Sequence, residues 1–314
     1  MLVRSSRAPL LGSRRQLILE AARKASEVRR QLGPKIGVTT TSPICAADAA
    51  HQLDVDVRYT NDIKSMEGFY RREPRPLILV SSLRPAGRQH FTTAHELGHH
   101  VFGHEGHVLP NHGDEDEQSV AARFRPDEVL ADAFAGHFLM PKIAVLSALK
   151  QRSLAPESLT DVDVYRLAWF FGVGYETIIR HLQSGLNLLP PNTAAALRKT
   201  SPKKVRAALL GCDIAEDLIP VDFTWDGRRS VDAQQGDIIH LPPGATVEGD
   251  GRSIAQVVAS DRHRVLVKAA RPGTVRLLAG DDWAVYLRIG KRQYVGLAHY
   301  RFLADEDEGE ADDL

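Results

Sequence analysis

The stretch FTTAHELGHHVFGHEG, residues 91–106, constrains this chain more than any other. It contains His95-Glu96-Leu97-Gly98-His99. On a helix, His95 and His99 share one face. Both imidazoles can then reach one ion from one side. Glu96 sits one step round and can hydrogen-bond a water on that ion. A solvated helix face could carry the same residues, but Phe91 and Phe102 share the side with the histidines, and Gly98 leaves room for a close neighbour. That marks the face as half-buried. Burying three unpaired polar groups is costly, and a metal removes that cost.

The composition restricts the donors. Only two cysteines occur, Cys45 and Cys212, far apart in sequence. There is no disulfide framework, which suits a reducing cytoplasm. Any metal must be held by histidine and carboxylate. Zn²⁺ takes about four ligands, and a catalytic site leaves one position for water. Two histidines therefore need a third protein ligand. A metzincin spacing would put glycine at 102 and histidine at 105, where the chain has Phe102 and Glu105. His104 and His107 are near misses by spacing, and His100 points about 100° away from His99. Further candidates lie in DEVLADAFAGHFLMP, residues 127–141. There Glu128 and Asp132 are four apart, ahead of Phe134 and Phe138. The gluzincin arrangement has this spacing: a glutamate on a following helix completes the site, and an aspartate one turn later orients a ligand histidine. Either acid alone could instead be a helix N-terminal acid favoured by the dipole.

The two segments together resemble the ImmA/IrrE family of zinc metallopeptidases. The matching residues are Phe91, Thr92, Ala94 and His95 to His99, then Glu128, Ala131, Asp132, Phe134, Ala135 and Leu139-Met140-Pro141. The resemblance spans about residues 14–185. It implies His95, His99 and Glu128 as zinc ligands and Glu96 as the catalytic base. Asp132 stands where the family commonly has asparagine, with a ligand-orienting role expected. The implied partner is a protein substrate, a helix-turn-helix repressor or an antitoxin, cleaved by a zinc endopeptidase.

The pattern along the chain gives an α+β protein. A zincin-like peptidase domain with a small antiparallel sheet is expected over 1–145. Helices are expected at 14–32, with a stripe through Ile18, Ala21, Ala25, Val28 and Leu32, and again at 87–103 and 127–140. VDVRYT, EGFYRR and PLILVS read as strands. PLILVS, just before the site helix, is expected to be an edge strand open to an extended substrate. The polar segment 105–126 reads as a mobile loop. A helical, helix-turn-helix-like segment and linker follow at 146–215. Short alternating runs then predict a β-barrel or sandwich over 216–304. The seven acids of residues 305–314 predict a disordered tail.

Net charge is zero, but unevenly placed. Residues 1–35 and 197–206 are basic, which keeps nucleic acid open as a partner. The alternative reading is therefore a DNA- or protein-binding transcriptional regulator with a structural or sensing zinc. Within the helical pair, the second helix offers only Arg180, His181 and Gln183 to DNA. No run approaches the roughly 18 apolar residues of a membrane span, and no apolar stretch marks a secretory leader. The expectation is a cytoplasmic protein with no membrane partner.

Overall fold

Ser13 and Gln16 start the first helix with a capping box: the Ser13 amide donates to Gln16 Oε1 at 2.7 Å, and the Ser13 hydroxyl accepts from the Gln16 amide. This helix, α1 (Arg14–Leu32), buries Leu17, Ala21, Ala25, Val28 and Leu32. Leu17 takes the deep position expected for Ile18, which is only half-buried. The computed structural model describes residues 13–62, 66–104, 107–110, 125–225 and 230–303, with 107–110 described as backbone only. The expected loop at 105–126 falls mostly outside the described residues, and the acidic tail at 305–314 lies outside them.

After α2 (Ala46–His51) come β1 (Asp56–Thr60), β2 (Met66–Arg71) and β3 (Leu77–Ser81), then the site helix α3 (Ala86–Phe102). Within the expected loop, residues 107–110 form β4 (His107–Pro110) instead. The strand order is β1-β3-β2-β4, with β1 and β3 parallel and the other two pairs antiparallel. The sheet is thus mixed rather than antiparallel. PLILVS is not an edge: β3 lies between β1 and β2. The continuous apolar run Leu77-Ile78-Leu79-Val80 fits an interior strand, and Ile78 and Val80 are fully buried.

Two helices follow, α4 (Pro126–Leu139) and α5 (Lys142–Gln151), broken at Pro141. Residues 126–151 are the one stretch among the described residues long and apolar enough to cross a membrane, and half of that window is buried inside the protein. The reason is packing: α4 lies against both α1 and α3. Arg29 of α1 ties the pair together. Its buried guanidinium donates to the carbonyls of Phe138 at 2.8 Å and Ser42 at 2.6 Å, and burial pushes its pKa down to about 10.

The helical pair is α6 (Asp161–Phe171), capped by Thr160 and Asp163, and α7 (Tyr175–Arg180). The side chains that DNA would need are engaged elsewhere. Arg180 lies over the Phe91 ring, Arg198 binds Glu176 and Gln183, and His181 Nε2 donates to the Met140 carbonyl at 2.9 Å. His181 fits where a Cβ on Gly136 or Gly185 would collide with its ring. Two further helices, α8 (Pro191–Leu197) and α9 (Pro202–Leu210), lead onward.

The C-terminal region holds two four-stranded sheets. One runs β5 (Leu218–Pro220), β7 (Ile238–Leu241), β10 (Val265–Ala269), β9 (Ala255–Ser260). The other runs β6 (Val231–Gln234), β12 (Trp283–Gly290), β11 (Gly273–Ala279), β8 (Thr246–Val247). Ile239, Val267, Leu277, Val285 and Leu287 are fully buried in their shared core. Among the described residues the two sheets share no strand pairing. A last short strand, β13 (Gly296–Leu297), pairs antiparallel with β1 and caps the first sheet.

His181 gives this packing a pH signature. Burial, with His137 beside it, pushes its pKa down to about 3. The unfolded chain binds a proton near pH 6.5 that the folded chain refuses. Stability should therefore fall as pH drops from 6.5 towards 3, by up to about 1.4 kcal/mol per pH unit. Urea titrations across that window should show this slope in the wild type and a flatter one in His181→Gln.

Candidate metal centre

The site is assembled by two helices that touch. Across from Gly98 on α3 lies Ala131 on α4, so close that a Cβ on Gly98 would stand 3.1 Å from the Ala131 Cα. This approach lays the first turn of α4 over His95 and His99. Pro126 opens that turn, with Asp127 and Glu128 next to it. Proline is suited to this position because the first-turn amide needs no partner, and the two acids suit the positive end of the helix.

His95, Glu96 and His99 are 2 %, 0 % and 1 % exposed, so the polar face expected to be half-buried is wholly inside. The imidazole Nε2 atoms of His95 and His99 converge to 3.2 Å. Glu128 closes the triangle, with Oε2 3.4 Å from His95 Nε2 and Oε1 3.7 Å from His99 Nε2. Zn²⁺ at about 2.0–2.1 Å from tetrahedral donors sets those donors about 3.3–3.4 Å apart. The 3.2 and 3.4 Å separations lie close to that requirement and the 3.7 Å one, to the other carboxylate oxygen, is longer; the three residues form a cluster of potential ligands among the described residues.

The remaining ring nitrogens are held from behind. His95 Nδ1 donates to Asp132 Oδ1 at 3.1 Å, leaving its Nε2 lone pair facing inward. Asp132 thus sits where the spacing places it. The second arrangement was not expected from sequence. His99 Nδ1 meets His104 Nδ1 at 2.8 Å, and His104 Nε2 lies 3.3 Å from Asp127 Oδ1. With His104 donating to the Asp127 carboxylate, its Nδ1 accepts from His99, and the His99 Nε2 lone pair also faces inward. His104 is therefore placed behind a ligand candidate. The signal for it was the left-handed Gly103, φ 75°, which ends α3 and turns the chain back towards His99. His100 faces the sheet, where its Nδ1 pairs with the Tyr70 hydroxyl at 2.9 Å.

The electrostatics favour positive charge here. Although burial opposes it, Asp132 and Glu128 push the His95 pKa up to about 10. Burial pushes Glu96 up to about 8, with Glu128 adding to the effect. Both Glu96 oxygens are buried without a hydrogen-bond partner. Such a carboxylate is costly unless something positive or protic stands in front of it. The residues present therefore fit a zinc ion on chemistry, separation and charge. Across from Glu96 lies Gly68 of β2, where a Cβ would fall 2.8 Å from Glu96 Oε1 and 2.4 Å from Thr92 Cγ2. Arg88 of α3 fixes this face of the sheet to the helix, with a bidentate pair to Glu67 at 2.7 and 2.8 Å.

Residues 50–183 match the IrrE N-terminal-like domain of the peptidase M78 family. A solved Mycobacterium tuberculosis transcriptional regulator is similar at 20 % identity, over 57 % of this chain and 49 % of that one, with a TM-score of 0.34. The present chain thus spans about half the length of that relative. No curated protein sequence matches.

Asp132→Ala and His104→Ala should each weaken zinc binding by roughly 10–100-fold, the usual cost of losing an outer partner of a ligand histidine. Competition titrations against a chromogenic chelator measure this directly.

Proposed function

Since residues 50–183 belong to the IrrE N-terminal-like peptidase family, we propose that the protein is a zinc-dependent endopeptidase. Its substrate is a regulatory protein, a helix-turn-helix repressor or an antitoxin. The observation that carries the reading is the convergence of His95 Nε2, His99 Nε2 and the Glu128 carboxylate beside the buried, unpartnered carboxylate of Glu96. His95, His99 and Glu128 would hold the ion. When bound, zinc would polarise the scissile carbonyl and bring the pKa of a coordinated water to about 7.

The chain's own groups do the rest. Glu96 accepts the proton of the attacking water at its carboxylate and passes it to the leaving amine. Asp132 holds the His95 ring, and Asp127 holds the His99 ring through His104, so neither imidazole must reorganise during the reaction. Gly68 keeps the space in front of Glu96 clear of a side chain. An extended substrate would pair with an edge strand, and β4 has one sheet neighbour among the described residues.

Glu96→Gln should keep one zinc per chain and lose roughly 10²–10⁴-fold in cleavage rate. Proteome-wide comparison of cells carrying wild type or Glu96→Gln identifies the substrate as the protein that shortens only with the wild type. Identical fragment patterns would remove Glu96 from the chemistry. Glu128→Ala should lower zinc content by elemental analysis. Unchanged zinc would move the third ligand elsewhere. Gly68→Ala should reduce turnover while leaving zinc content intact, because its methyl group would displace the Glu96 carboxylate.

A further inference from the structure

The N-terminal half of α3 also lines a second space. Ala86, His90 and Thr93 border a cavity of about 420 Å³ that none of His95, Glu96, His99 or Glu128 touches. Several parts of the chain meet there: the segment from Ile36 to Asp48, β1 through Tyr59, the site helix, α6 with the turn after it, and the C-terminal β region. Its size is in the range that holds small ligands, roughly 300–1,000 Å³.

The lining has a definite chemistry. Aromatic faces come from Tyr59, Trp169, Trp225 and Phe302, two guanidiniums from Arg288 and Arg301, and two carboxylates from Asp48 and Asp232. The guanidiniums are not equivalent. Arg288 is already neutralised by a bidentate pair with Asp232, at 2.7 and 2.8 Å. Arg301 has no carboxylate partner among the described residues. It lies 4.8 Å over the Tyr59 ring, and its Nε is buried without a hydrogen-bond acceptor. A half-buried guanidinium with no carboxylate partner among the described residues and an unsatisfied Nε, set beside aromatic walls, suits a planar ligand that supplies both a ring and an acceptor.

We infer that this cavity binds a small aromatic carboxylate, with its ring against the tryptophan side chains and its carboxylate on Arg301. The ligand is an effector rather than a substrate, because the cavity does not reach the metal centre. It touches the elements that clamp the start of α3. His90 donates from Nδ1 to the Gly172 carbonyl at 2.8 Å and accepts the Ala46 amide at Nε2 at 2.9 Å. Gly87 packs so tightly that a Cβ would stand 2.7 Å from the Val173 carbonyl carbon. A ligand that shifts this clamp shifts the helix bearing His95, Glu96 and His99. That consequence for cleavage rests on the peptidase reading, whereas binding does not.

Naphthalene-2-carboxylate is a suitable probe, with its carboxamide as the uncharged control. Of the three tryptophans, two line the cavity, so intrinsic fluorescence reports occupancy. The acid should quench saturably at one equivalent per chain and bind at least tenfold tighter than the amide. Arg301→Met should lose at least tenfold in affinity for the acid and little for the amide. Ala298→Phe, which fills the cavity, should abolish quenching by both; should that variant fail to fold, Arg301→Met still decides. Glu96→Gln should bind like wild type, so failure of the peptidase reading leaves this result standing. No saturable quenching, equal affinity for acid and amide, or full affinity in Arg301→Met overturns the inference.

Discussion

The contact between Gly98 and Ala131 is the constraint on which the metal centre depends. A side chain at 98 would crowd Ala131 and Phe134 across the helix pair, and Glu128 sits at the end of the lever, on the first turn of α4. Larger side chains than a methyl would press the two helices apart and draw its carboxylate away from the two imidazoles. The same closeness buries His95, Glu96 and His99, and burial makes their charge state matter. With three carboxylates nearby, the centre favours positive charge: a proton on His95 or a metal ion between the donors.

The rest of the fold maintains that contact. On the far side of α4, α1 packs through an alanine-rich face and fixes the helix end with Arg29. Opposite, the Arg88–Glu67 pair locks α3 to β2 and sets Gly68 before Glu96. The C-terminal region adds its own brace, because β13 returns to pair with β1. The first sheet is therefore completed by residues more than two hundred positions away from the strand they join.

Which side chains converge was more legible in the sequence than the sheet was. That His95 shares a face with His99, and Glu128 with Asp132, follows from i, i+4 spacing, while the meeting of the two pairs was implied by the family resemblance. His104 was missed as a partner of His99 because its place depends on a left-handed turn at Gly103, which spacing on a helix cannot describe. Strand order was missed for a different reason. Alternation tells which residues face inward but not which strand lies beside which. The apolar run of β3 carried the needed signal, since a strand apolar on both faces belongs inside a sheet. The pairing of β13 with β1 has no local signature at all, being a contact between distant parts of the chain.

X-ray absorption at the zinc edge of the zinc-loaded protein tests the central claim most directly. One zinc per chain should show two imidazole shells and carboxylate oxygen at about 2.0–2.1 Å, with no sulfur. A sulfur shell, a third imidazole, or zinc that fails to bind at one equivalent would contradict the centre built from His95, His99 and Glu128.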